Sequence, residues 1–267
     1  MTFFYFLKFL PIIILLNLFH NSQIFHCCVQ KTASQWFRFI LQQDELLCSK
    51  KIKYCYPYHK DFDRSDNIFT SKSYKEFPKN SLVSPLYINH TAFSRIPKPD
   101  DYRAFFVTRD PRDILISWYF STKHSHGKDG YLNKYISDLA KIDDLEKGLL
   151  YSISALEEFG LWQTIKSWQQ SYNPEFEKIV RFEDLTGNNQ LEYWTELLSF
   201  LKIPLEESKV DLLLSKYNFE YWTKGRKKGN EDPSSHMRKG ISGDWKNYFN
   251  PTIEDAFKDM WSRTTLN

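Results

Sequence analysis

The chain has no Gly-x-x-x-x-Gly-Lys-Ser/Thr loop, and its first candidate phosphate-binding stretch, residues 29–36, contains no glycine at all. A magnesium-dependent ATP site would want that loop and a metal-binding aspartate, so a kinase of that type is disfavoured. Excess charge is small: 36 Lys and Arg against 33 Asp and Glu leave a formal net charge of +3. That argues against a surface that coats nucleic acid, and any basic site has to be local. Cysteine is scarce. Cys27, Cys28, Cys48 and Cys55 form no Cys-x-x-Cys pair, and His59 alone does not complete a metal set with Cys48 and Cys55. They read as reduced thiols of a reducing, cytoplasmic compartment, and no metal site is expected. No internal repeat is visible.

What is present begins with an apolar run, residues 3–19, broken by Lys8, Pro11 and Asn17. Residues 1–22 read as a leader: a signal segment, a marginal membrane anchor, a dispensable extension or the product of a mis-assigned start. Membrane association through residues 3–19 is the alternative to a cytoplasmic protein. Residues 23–267 are long enough for one large α/β domain. Aromatics make up 17% of the chain, enough for core and for surfaces on which rings stack.

Three stretches carry chemistry. Val29-Gln30-Lys31-Thr32-Ala33-Ser34-Gln35-Trp36 follows an apolar, β-branched run and precedes Phe37-Arg38-Phe39-Ile40-Leu41. Strand, short polar loop and helix in that order place Lys31 and several amides at a helix N-terminus, which binds anions. Arg109-Asp110-Pro111-Arg112-Asp113 follows the buried strand Ala104-Phe105-Phe106-Val107. Asp110 suits the N-cap of the next helix and Pro111 its first position. Ile114, Leu115, Trp118 and Tyr119 recur at helical spacing, and Ser117 falls away from much of that stripe. The third stretch is Arg238-Lys239-Gly240-Ile241-Ser242-Gly243-Asp244-Trp245-Lys246.

Together and in this order, the three stretches resemble the sulfotransferases that use 3′-phosphoadenosine 5′-phosphosulfate (PAPS) and release adenosine 3′,5′-bisphosphate (PAP). The resemblance spans residues 24–249. It implies a three-layer, P-loop-like fold, and strands alternating with helices independently predict a mainly parallel sheet flanked by helices. It also implies that Lys31, Thr32, Ala33, Ser34, Gln35 and Trp36 hold the 5′-phosphosulfate. Arg109 and Ser117 would hold the 3′-phosphate, while Arg238, Lys239 and Gly240 close over the nucleotide. Trp36 and Phe219 match positions that sandwich the adenine, and Phe182 falls where a tyrosine is frequent, so a hydroxyl contact is lost. Asp244, Trp245 and Lys246 are expected to anchor the closing loop. Ala33 stands where glycine is usual, which asks for a negative φ or some strain. Ile88 stands where many members carry a second lysine.

Sulfuryl transfer builds negative charge on the bridging oxygen of the departing nucleotide. It needs a cation there, amide donors around the phosphate, and a base for the acceptor's proton. Lys31 is the candidate cation. His90, at the end of a strand and a family-like interval before Arg109, is the candidate base. His124 and His126 are weaker base candidates. The alternatives are a nucleotide kinase and a catalytically silent nucleotide-binding protein of the same fold. The acceptor is expected to be a small molecule, lipid or sugar with a hydroxyl or amine, met by residues 54–80, 131–150 and 225–235. No dimerisation signature is visible, so oligomeric state is open.

Elsewhere, residues 50–80 read as irregular. Two short strands are expected on either side of Pro85. Ser154-Ala155-Leu156-Glu157 reads as a capping box opening a helix to about Gln170. Residues 178–182 read as a strand, residues 191–201 and 206–216 as helices, residues 225–235 as a mobile loop, and Asn250-Pro251 as the start of a last helix.

Overall fold

A computed structural model describes residues 22–57, 76–127 and 132–264. The expected leader at residues 1–22, apart from Ser22, lies outside the described residues, as do residues 58–75 of the long insertion and residues 128–131. Five strands form one sheet in the order β2-β3-β1-β4-β5: β1 (Gln23–Cys28), β2 (Lys53–Cys55), β3 (Ser81–Tyr87), β4 (Arg103–Thr108) and β5 (Glu177–Arg181). Every pairing is parallel. Parallel strands need crossovers, and the crossover helices cover both faces.

Alternation along β1 divides the core. Phe25 and Cys27 enter the apolar cluster on one face, Ile24 and Cys28 the cluster on the other, as adjacent cysteines on a strand must. The first cluster is closed by helices α4 (Pro111–Phe120), α6 (Leu145–Glu158), α7 (Leu161–Ser171) and α12 (Pro251–Arg263). The second is closed by α1 (Ser34–Leu41), α9 (Gln190–Phe200) and α10 (Glu207–Lys216). The short helices are α2 (Asp44–Lys50), α3 (His90–Ser94), α5 (Asn133–Leu139), α8 (Phe182–Thr186) and α11 (Phe219–Trp222). His26 is buried in β1, stacked on Phe105 at 4.9 Å, with Nδ1 2.8 Å from Ser84 Oγ. Burial pushes it down to about 3, so it is a neutral core residue.

Three local expectations change. The two short strands around Pro85 are one strand, β3, whose register against β1 shifts between Phe25 and Cys27. The segment read as irregular contains β2, which pairs with β3 at the sheet edge. Ser154 opens no helix: α6 starts earlier, where the Asp144 side chain accepts from the Lys147 amide at 2.8 Å, and it runs through residues 154–157. The break falls instead at Gly160, in the left-handed region at φ 79°, from which α7 starts afresh. The last helix starts as expected, with Asn250 accepting from the Ile253 amide at 3.0 Å. Among the described residues no helix is long and apolar enough to cross a membrane.

Candidate functional site

In a parallel sheet the loops beyond the strands' C-terminal ends converge, and ligands bind there. β1 delivers the Lys31 loop to that edge and β4 delivers Arg109. The loop turns sharply: Lys31 has φ 68° and Ala33 φ 61°. Ala33 therefore takes the left-handed conformation that glycine would adopt freely, at a cost of about 1–2 kcal/mol. No side chain caps α1. The amides of Lys31, Thr32, Ala33, Ser34 and Gln35 donate to nothing among the described residues, whereas those of Trp36 and Phe37 bond to the Ala33 carbonyl. Free amides at a helix start form a cradle for an anion.

The cradle's side chains divide. Thr32 is buried and its hydroxyl donates to the Val29 carbonyl at 2.8 Å, holding the turn. Ser34 Oγ lies 2.7 Å from the Tyr87 hydroxyl. Gln35 is exposed. Trp36 is buried among Phe37 and Trp194, its indole donating to the Tyr217 carbonyl at 2.7 Å. Lys31 is half-buried and its ammonium has no acidic partner among the described residues. Burial, followed by the charges of Arg109 and Arg238, pushes it down to about 7. An anion delivered there would restore its charge.

Arg109 ties the site together. Its guanidinium donates to the Lys31 carbonyl and to the Ile241 carbonyl, each at 3.1 Å, so one side chain joins the first loop to the Arg-Lys-Gly loop. It lies over the Phe182 ring at 4.5 Å, replacing with a cation–π contact the hydroxyl contact that phenylalanine cannot make. Its acidic neighbours leave it largely unpaired: Asp113 stands 3.9 Å away, and Asp110 pairs with Arg112 at 2.7 Å. Asp113 instead accepts from the Gly243 amide at 2.6 Å and the Trp245 amide at 3.0 Å. The helix carrying half-buried Ser117 thus also fastens the closing loop.

The closing loop is neutralised internally. Arg238 bonds Asp244 and, at 2.5 Å, Glu231; Lys239 bonds Asp244 at 2.7 Å. Burial alone would lower Arg238, but these carboxylates hold it above its ordinary value. Gly240, at φ 70°, lets the backbone meet the Phe219 ring face; a Cβ there would overlap the ring. Buried Phe219 is thereby joined to the loop, while Trp36 is part of the second core cluster.

Ile88 and His90 follow β3, whose last residue, Tyr87, reaches Ser34 of the cradle. Ile88 is fully buried in the first core cluster, so no charge stands there. His90 begins α3 and packs against the Trp168 ring at 4.9 Å. Its Nε2 lies 2.9 Å from Glu177 Oε2, at the start of β5 rather than its C-terminal end. Burial would raise the Glu177 carboxyl, but hydrogen bonds from His90, Tyr102 and the Asn173 amide bring it below its ordinary value. Two other imidazoles, His126 and His236, have ring centroids 5.2 Å apart and planes at 90°, and the charge of Lys31 helps to lower both. His236 is absent from the sequence reading. The signal available was its position, two residues before Arg238.

The residues fit a bisphosphorylated nucleotide. Arg109 Nε and the Gln30 side-chain amide are buried without a partner among the described residues, next to an ammonium that lacks one. Buried polar groups of this kind await a ligand or water. An open cavity of about 460 Å³ is lined by Arg109 together with Arg112, Arg181, Phe249, Lys258 and Trp261 among others. Among the described residues, no group of three or more His, Cys, Asp and Glu side chains could hold a metal ion.

Comparison with known proteins gives the family and the fold. A sulfotransferase domain model matches residues 21–265. The chain is 25% identical to sulfotransferase 1 family member D1 of Mus musculus over 196 residues, 67% of this chain and 62% of that protein. It is 24% identical to a 3-alpha-hydroxysteroid sulfotransferase of Cavia porcellus over 214 residues, 75% and 70% of the two chains. The chain thus spans about three fifths of the length of the first of these relatives. Among solved structures, it is similar to mouse sulfotransferase SULT7A1 complexed with PAP, at TM-score 0.62 and 17% identity over 90% of this chain and 82% of that one. Retinol dehydratase in complex with androsterone and PAP superposes at TM-score 0.53 and 16% identity, covering 93% and 83%. The central sheet, the Lys31 turn and the Arg-Lys-Gly loop thus belong to a chain of the sulfotransferase domain family.

Proposed function

We propose that this chain transfers a sulfuryl group in line from PAPS to a hydroxyl or amine of a small acceptor, leaving PAP. The observation that carries this reading is the double hydrogen bond of Arg109. It holds the Lys31 loop and the Arg-Lys-Gly loop around one basic, amide-lined corner. Bound there, PAPS supplies an activated sulfuryl group on a phosphate leaving group.

The chain's own contributions follow from position. Amides from Lys31 to Gln35 grip the phosphate oxygens. Lys31 stands where its ammonium meets the charge that grows on the bridging oxygen, a preorganised electrostatic contribution worth roughly 3–4 kcal/mol in comparable sites. Arg109 and Ser117 face the 3′-phosphate, Arg109 as a charge-assisted donor. Phe219, braced on Gly240, offers a ring face to the purine, with Trp36 opposite. His90 has its Nε2 committed to Glu177, so that ring has only Nδ1 with which to serve as base.

The relative named for a hydroxysteroid supports a ring-bearing or lipid-like hydroxyl compound over a sugar. Residues 23–267 as the catalytic domain, residues 1–22 as a leader and a cytoplasmic setting belong to the same proposal. The test is calorimetric titration with PAP, adenosine 5′-phosphate and Mg·ATP. Tight binding of PAP alone is expected. Preference for Mg·ATP would move the chain to the kinase reading.

A further inference from the structure

We propose that Tyr87, the last residue of β3, is a positioning residue for the transfer: its hydroxyl holds the Ser34 hydroxyl so that Ser34 donates to the 5′-phosphate of the bound nucleotide. The inference rests on the PAPS reading above and deepens it.

Most of the cradle's side chains are committed. The Thr32 hydroxyl is spent on the Val29 carbonyl at 2.8 Å. Gln35 is exposed, and its Oε1 accepts from Arg38 at 3.4 Å. The Trp36 indole donates to the Tyr217 carbonyl. Ser34 differs. It is 7% exposed and opens α1, where the amides donate to nothing among the described residues. Its hydroxyl meets another side chain rather than backbone: Oγ lies 2.7 Å from the Tyr87 hydroxyl, and either oxygen can be the donor.

The sheet places Tyr87 for this contact. Its Cα is paired with Cys28, the last residue of β1, so its ring starts beside the point where the Lys31 loop leaves the sheet. The ring is half-buried and packs against both apolar clusters, which fixes it at the C-terminal edge of the sheet. The next residue, Ile88, turns into the first cluster and carries no charge. β3 thus reaches the cradle through a neutral phenol.

A hydroxyl has one proton and two lone pairs. In the empty site the Ser34 proton can rest on the Tyr87 oxygen. A phosphate oxygen is the better acceptor, because it is charged. With nucleotide bound, Ser34 donates to that oxygen, and its own oxygen accepts from Tyr87. The result is a chain, from Tyr87 O–H to Ser34 O–H to phosphate oxygen, in which each bond strengthens the next. Neither hydroxyl gives up its proton. The chain complements Lys31. The ammonium meets the bridging oxygen with charge, and the two hydroxyls meet the phosphate with dipoles already oriented as charge grows. PAP carries on its 5′-phosphate the charge that the transfer builds there, so PAP binding reads the same contact.

The test uses the full chain with Tyr87→Phe, Ser34→Ala and the double variant. Tyr87→Phe keeps the ring and removes only the hydroxyl. Each is titrated calorimetrically with PAP and with adenosine 3′-phosphate, which lacks the 5′-phosphate. Ser34→Ala should weaken PAP about 10- to 100-fold, the range of a hydrogen bond to a charged group, and Tyr87→Phe about 3- to 10-fold, the range of a neutral one. Neither should change adenosine 3′-phosphate by more than about 2-fold, and Tyr87→Phe should add no further loss of PAP in the Ser34→Ala background. A ring that served only to pack the cradle would weaken both nucleotides alike. Equal losses for the two nucleotides, a Tyr87→Phe loss that persists at full size in the Ser34→Ala background, or PAP affinity unchanged in Tyr87→Phe would each overturn the proposal and leave the PAPS reading in place. A wild-type chain that binds no PAP would remove that reading and the proposal with it.

Discussion

The two basic corners of the site differ in how their charge is met. At the first loop, Lys31 has no carboxylate among the described residues and is pushed down to about 7. At the closing loop, Arg238 and Lys239 share Asp244 and Glu231, and both are held above their ordinary values. Both stretches look alike in sequence, a lysine or arginine in a short polar loop. Their surroundings assign different work. Uncompensated charge raises the energy of the empty corner and lowers it when an anion arrives, which suits binding and transition-state stabilisation. Compensated charge stabilises a loop at all times, which suits a structural clasp. Arg109 joins the two through the Lys31 and Ile241 carbonyls.

Breaking the uncompensated corner should have the largest effect. Lys31→Ala is expected to cut PAPS turnover about 100- to 1,000-fold while changing PAP affinity far less; turnover against calorimetric affinity checks the split. Breaking the clasp should act on the fold instead. Asp244 is 3% exposed, and Asp244→Ala leaves Arg238 and Lys239 with Glu231 alone. A loss of about 3 kcal/mol is expected, or a melting temperature roughly 6–12 °C lower by calorimetry. Breaking the link, Arg109→Ala should weaken PAP about 10- to 100-fold, with a much smaller loss for adenosine 5′-phosphate. Equal losses would place Arg109 away from the 3′-phosphate. The smallest effect is expected at Gly240→Ala, where a Cβ would overlap Phe219. Displacing that ring should cost about 1–3 kcal/mol of stability and lower affinity for the purine nucleotide, read from the same titration.

The sheet was legible because β1 and β4 are continuous apolar runs and each is followed by a helix start with named signals, Lys31 to Ser34 and Asp110-Pro111. β2 was not, since three residues at a sheet edge carry no periodicity and depend on pairing with Ser81 to Val83. The capping-box pattern at Ser154 lost to Asp144, whose cap starts a longer helix through the same residues. Lys31 could be named from the order of strand, polar loop and helix, and Arg109 from the family resemblance that the three stretches carry together. The fate of His90 could not. Glu177 reaches it only because β5 pairs with β4 in a register that sets Glu177 beside Ala104, and that register is a tertiary fact. His126 and His236 are 110 positions apart in sequence and meet only when the closing loop folds over the end of α4.

The measurement that tests the comparison most directly is the titration of the Lys31 ammonium by ¹⁵N NMR, with and without PAP. In the free protein it should titrate near 7, so affinity for the anion should fall as pH rises through that value and the ammonium loses its proton. Adding PAP should move the titration upward by several units. A Lys31 that titrates above 10 in the free protein, or that does not respond to PAP, would contradict an uncompensated cation waiting for the phosphosulfate.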